Sequence, residues 1–162
     1  MNPTDLKKAL RSEGFVIYRT LGEQIALAER VRENLILDSG VRIKAVGAPS
    51  EGDAAAAQGP VTFEVSVTFR AEKNAFPGIR EAVIYTHMAQ GSERATELGF
   101  REITRGARAI TDPVDPAVTL DTFYELIMVK DAVDFPEAVS LARFALGIDR
   151  IVFPPARESM PR

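Results

Sequence analysis

His87 is the one histidine of the chain, and histidine is the side chain type whose charge change falls near neutral pH, which is why it recurs in acid–base chemistry. Catalysis through it would need an orienting carboxylate and a nucleophile such as Ser92 or Thr86 beside it. The chain has no cysteine, which removes thiol nucleophiles and cysteine-held zinc, and it has no Gly-x-Ser-x-Gly elbow. No catalytic residue is assigned on this pattern. His87 stands instead as a candidate ligand-binding residue, beside Arg101 and Arg105. These two arginines lie on one predicted strand and, with Arg108, make a local basic cluster. Side chains alternate along a strand, so Arg101 and Arg105 share a face and Arg108 does not. A guanidinium pair on one face can grip a carboxylate or phosphate; the plainer use is pairing with acids across the sheet.

Asp112, Asp115 and Asp121 are the acidic counterpart. Calcium takes clustered carboxylates, but this spacing is not that of an EF-hand loop, and Asp112-Pro113 and Asp115-Pro116 are turn-forming pairs. No metal site is assigned. Neither Gly-x-x-x-x-Gly-Lys nor Gly-x-Gly-x-x-Gly occurs, so the common phosphate cradles are missing and no cofactor is expected.

Charge narrows the partners. The net charge is −3; residues 1–50 are net +2 and the remainder net −5, with seven acids against Lys130 alone in residues 111–137. A nucleic-acid binder shows the opposite balance on a basic face, so none is expected as partner. No apolar run nears the roughly 18 residues of a membrane span, and the first residues lack the basic-then-apolar order of a signal peptide. A soluble, cytoplasmic protein is the expectation.

The elements that must position these residues follow from punctuation and period. Asn2 as N-cap, Pro3 at the first helical position and Asp5 in the first turn open a helix over about residues 3–13, with Leu6, Ala9 and Leu10 on one face and Gly14 as its stop. Phe15–Tyr18 reads as a strand. Leu21-Gly22-Glu23 reads as a hairpin turn leading to Ile25 and Leu27, although Thr20 and Glu23 also spell a capping box. A short helix is expected over 29–38, with Val31 and Leu35 inward and Gly40 just past its end. Val61, Phe63, Val65, Val67 and Phe69 alternate with polar residues, which predicts a strand with one buried face. Residues 41–46 are its expected antiparallel neighbour, and residues 47–60 between them read as a mobile loop. A helical pattern covers about 79–98 with a break at Gly91, though Ala82–Tyr85 also suits a strand. Strands at Phe100–Ile110 and Thr122–Lys130 follow; the second is apolar on both faces, as a central strand is. Asp134 and Glu137 make a capping box for a helix through Leu146, and Ile148–Phe153 suits an edge strand.

The expected product is an α+β domain over residues 1–153 with a tail at 154–162. Its antiparallel sheet has five to six strands with helices on one face, in the order α-βββ-α-ββ-α. That order over residues 3–147 resembles the small dimeric fold of type III secretion chaperones and related sensory-protein domains. The resemblance implies a non-catalytic module that binds a protein or peptide, dimerising through the sheet or the helix near 79–98. A second resemblance rests on Ala95-Thr-Glu-Leu-Gly-Phe-Arg-Glu102, which is similar to a late helix-to-strand junction of acetyltransferases. The pyrophosphate loop of that family is missing, leaving acetyl-CoA without backbone donors. Leu10–Phe15 and Ala95–Phe100 also echo each other, both ending a helix in Gly-Phe.

Overall fold

A computed structural model describes residues 1–47 and 61–154. The elements are α1 (Pro3–Ser12), β1 (Ile17–Leu21), β2 (Gln24–Arg32), β3 (Leu35–Val46), β4 (Thr62–Glu72), α2 (Glu81–Gly91), α3 (Glu93–Glu97), β5 (Arg101–Thr111), β6 (Thr119–Ala132) and α4 (Phe135–Gly147), with a 3-10 turn at Lys73–Ala75. The strands form an antiparallel six-stranded sheet in the order β1-β2-β3-β4-β6-β5. This is the α+β architecture expected from the sequence, with four strands before the central helices, within the three or four that the sequence reading allows. The chain divides into two compact units, Met1–Val67 with Val129–Ile148 and Thr68–Met128 with Asp149–Arg162. Most of the loop at 47–60, namely 48–60, lies outside the described residues, as does the tail from 155 onward.

In the first unit the predicted start holds. The Asn2 side chain accepts from the Asp5 amide at 2.8 Å, and Leu6 and Leu10 are fully buried where α1 packs on β1, β2 and β3. The exit from α1 is a Schellman turn. Gly14 takes φ +92°, its amide donates to the Arg11 carbonyl, and the Phe15 amide donates to the Leu10 carbonyl at 3.1 Å. Phe15 is thereby buried as the apolar seal of the helix end, and β1 starts two residues later than its composition suggests. Residues 95–100 repeat the device: Gly99 has φ +101° and the Phe100 amide donates to the Ala95 carbonyl at 3.0 Å. The echo between the two segments is this helix exit.

The alternating strand forms in the expected register. Val41 faces Val67, Ile43 faces Val65 and Ala45 faces Phe63. Phe63, Val65, Val67 and Phe69 are at most 3% exposed, whereas Thr62, Glu64 and Thr68 keep partial exposure. Helix α4 packs on β3 and sets Phe135 against the Phe63 ring, centroids 5.7 Å apart. Its start follows the predicted box with one change: Asp134 Oδ1 accepts from the Glu137 amide, and the Glu137 carboxylate accepts from the amide of Val133, one residue before the N-cap, both at 2.9 Å.

The helix expected over 29–38 is not there. Strand β2 runs on to Arg32, Glu33 and Asn34 make a two-residue loop, and β3 begins at Leu35. Arg30 pairs with Ile36 and Glu29 with Leu37 across the strands, and Val31 is exposed rather than inward. Cross-strand pairing overrides a helical spacing of only two apolar residues. Gly40 is no helix stop either. Between Ala26↔Arg42 and Ala28↔Asp38, β3 uses four residues where β2 uses two, and Gly40 takes φ +79° inside that bulge. The backbone groups freed there are recaptured locally. Asp38 Oδ1 accepts from the Gly40 amide, while the buried Ser39 hydroxyl donates to the Leu27 carbonyl and accepts from the Val41 amide.

In the second unit the helical region breaks at Ser92, one residue past the expected Gly91. Ile84, Tyr85 and Met88 of α2 are buried, which settles Ala82–Tyr85 as helix. Strand β6 buries Tyr124, Leu126 and Met128 on one face and leaves Phe123, Glu125 and Ile127 half-buried on the other, as an interior strand should. Where an edge strand was expected at 148–153, Ile151 makes one isolated parallel bridge to Arg70. The Arg70 amide donates to the Arg150 carbonyl and the Val152 amide to the Arg70 carbonyl, both at 2.8 Å.

Candidate functional site

The three candidate residues all fall in the second unit, on two elements. His87 is half-buried on α2. Its Nε2 lies 2.8 Å from the carbonyl oxygen of Phe153, and its ring meets the edge of Phe76 with centroids 5.9 Å apart. A carbonyl can only accept, so Nε2 carries the proton and donates. The imidazole therefore ties α2 to the chain segment after α4. Arg101 opens β5 and is exposed. Arg105 lies further along the strand, where its Nε and Nη2 grip the two carboxylate oxygens of Glu102 at 2.5 and 2.9 Å.

The same guanidinium sits 5.4 Å over the Tyr85 ring of α2, and Tyr85 in turn meets Tyr124 of β6 in a T-shaped contact at 5.4 Å. His87 is only two residues from Tyr85, but two residues on a helix is about 200° of rotation. The fold thus engages Arg105 and His87 with different partners on different sides of α2. Tyr85 and Tyr124 escaped the sequence reading because they look like ordinary core aromatics, and nothing in sequence places α2 over β5.

The electrostatics follow from this packing. Burial above all, then Glu81 and the neighbouring Tyr124, raises the Tyr85 pKa above its usual value, against the opposing pull of Arg105. Burial and then Glu81 likewise raise Tyr124. The hydrogen bond from Arg105 holds the Glu102 carboxyl below the usual carboxylate range, and the same bond raises the Arg105 guanidinium. Both hydroxyls stay protonated and the arginine stays charged across the physiological range. A raised tyrosine pKa contributes stability that is whole below about pH 10 and is lost as pH rises through the raised folded-state values. The denaturant midpoint should therefore fall with pH above about 10, and the Tyr85→Phe/Tyr124→Phe double variant should fall less steeply. An unchanged alkaline slope in that variant would show that these hydroxyls take no part.

Arg108 takes the expected cross-strand role. Its Nη2 lies 3.3 Å from Glu125 Oε1, and Arg70 Nη2 reaches the same oxygen at 3.5 Å while its guanidinium covers the Phe123 ring at 5.2 Å. One carboxylate thus serves two guanidiniums, leaving this group net +1. Asp112 and Asp115 are turn formers, and Asp121, within β6, holds the 3-10 turn. Asp112 Oδ1 accepts from the Val114 and Asp115 amides, Asp115 Oδ1 from the Ala117 amide, and Asp121 Oδ1 from the Asn74 and Thr122 amides. No described helix is long and apolar enough to cross a membrane. Comparison of this chain with family models, with curated proteins and with solved structures returns no match.

Proposed function

We propose that this chain is a non-catalytic binding module of secretion-chaperone-like plan, working in the cytoplasm as a homodimer that receives a protein or peptide partner. The observation that carries the reading is β5. It is a sheet edge eleven residues long, ten of them exposed, including Ile103 at 53%. Unpaired amides and carbonyls along such an edge are a template for another strand. The opposite edge, β1, is five residues with an irregular register, which is how an edge is made unattractive. The homodimer draws support from the end of the β2–β3 hairpin, where Val31, Ile36 and Leu37 are exposed on a two-stranded segment. Two strands alone are marginal in water, and a second copy would cover this apolar end.

Native mass spectrometry of the purified protein tests the proposal. A dimer with nothing bound supports it; a monomer at every concentration, or a retained small molecule, overturns it. His87→Ala should cost about 1 kcal/mol for its lost hydrogen bond and leave partner binding intact. Loss of binding with a normal melt would instead make His87 part of the recognition surface.

A further inference from the structure

We infer that the β5 edge takes an extended acidic strand, whose carboxylates lie along Arg101, Arg105 and Arg108. This deepens the binding-module reading and rests on it. Strand β5 carries three arginines against one acid, Glu102, and is net +2 in a chain that is net −3. Pairing β5 with the same strand of a second copy would bring two such basic strands together, and edge charges of one sign are a device against that self-pairing. An acidic strand meets no such barrier, because backbone pairing supplies the affinity and charge selects the partner.

Arg105 and Arg108 are held in place by contacts within the chain. Arg105 is fixed by Glu102 and by the Tyr85 face with 47% of its side chain exposed, and Arg108 is anchored on Glu125 with 60% exposed. Each keeps guanidinium surface for an incoming carboxylate while losing little side-chain freedom on binding. The complementarity also has an end. Asp112 and Asp115 stand just beyond β5 in the turn before β6, so the acids of the partner must stop short of that turn.

The probe is a labelled peptide of Glu-Glu-Val-Val repeats, which as a strand presents glutamates on both faces to meet Arg101 and Arg105 on one and Arg108 on the other. It is titrated into the full chain, with a Lys-Lys-Val-Val peptide of equal length as control. The acidic peptide should bind, weaken with added salt, and slow amide exchange along β5. The Arg101→Glu/Arg105→Glu/Arg108→Glu variant, shown folded by its melt, should lose at least about tenfold in affinity for the acidic peptide and gain it for the basic one, as several exposed pairs worth roughly 0.2–1 kcal/mol each would give. Equal affinity for both peptides, or no exchange protection of β5, overturns the proposal. Concentration-dependent protection of β5 without peptide overturns it too, by giving the edge to a second copy. A captured protein partner with no acidic-peptide binding would end this proposal and leave the binding-module reading standing.

Discussion

Phe63→Asp should not yield a folded protein: no cooperative melt, and material that aggregates on purification. Phe63 is 3% exposed, on the strand face that also holds Val65, Val67 and Phe69, with its ring on Phe135 of α4. Truncating a buried phenylalanine costs about 3–5 kcal/mol, and an aspartate adds a carboxylate to a face that holds the buried Val65, Val67 and Phe69. Whole domains are stable by only about 5–15 kcal/mol, so the sum exhausts most of the available stability. Phe63→Leu is the control and should fold with a modestly lower midpoint, since it keeps the apolar contact with α4. A soluble, normally melting Phe63→Asp protein would mean that the register of β4 against β3 is wrong by one residue.

Leu10→Ala should remove about 2–5 kcal/mol, read as a lower urea midpoint at unchanged slope. Helix α1 has ten residues, too few to stand alone in water, and it holds to the sheet through Leu6 and Leu10, both fully buried. Leu10 also supplies the carbonyl that receives the Phe15 amide at the helix exit, so a cavity there loosens the turn into β1 as well. A loss under about 1 kcal/mol would show that α1 is not part of the cooperative core.

What could be read in the sequence was local and strongly marked. The cap at Asn2, the box at Asp134 and Glu137, the Gly-Phe exits at 14–15 and 99–100, and the uninterrupted alternation from Val61 to Phe69 each specify their own backbone over a few residues. All of them recur in the structure where expected. The stretch at 29–38 failed because its signal was weak in itself. Val31 and Leu35 have helical spacing, but Glu29, Arg30, Ile36 and Leu37 find strand partners, and Gly40 suits a bulge as well as a helix stop. Glycine marks a left-handed residue without saying which structure needs it.

The candidate site divides the same way. Sequence periodicity put Arg101, Arg105 and Arg108 on one strand, because it is a property of the chain itself; the helix that carries His87 was settled only by the burial of Ile84, Tyr85 and Met88. Tertiary structure decided everything that depends on which elements meet. It set Tyr85 of α2 against Tyr124 and under Arg105, gave Glu125 to both Arg70 and Arg108, and turned His87 to the Phe153 carbonyl. It also put β5 at the edge of the sheet, beside β6, which lies between it and β4. A strand carries the same side chains in the middle of a sheet as at its rim. Only the order of the strands puts it at the rim, with one neighbouring strand among the described residues, and that order is set by which apolar faces bury together across distant parts of the chain.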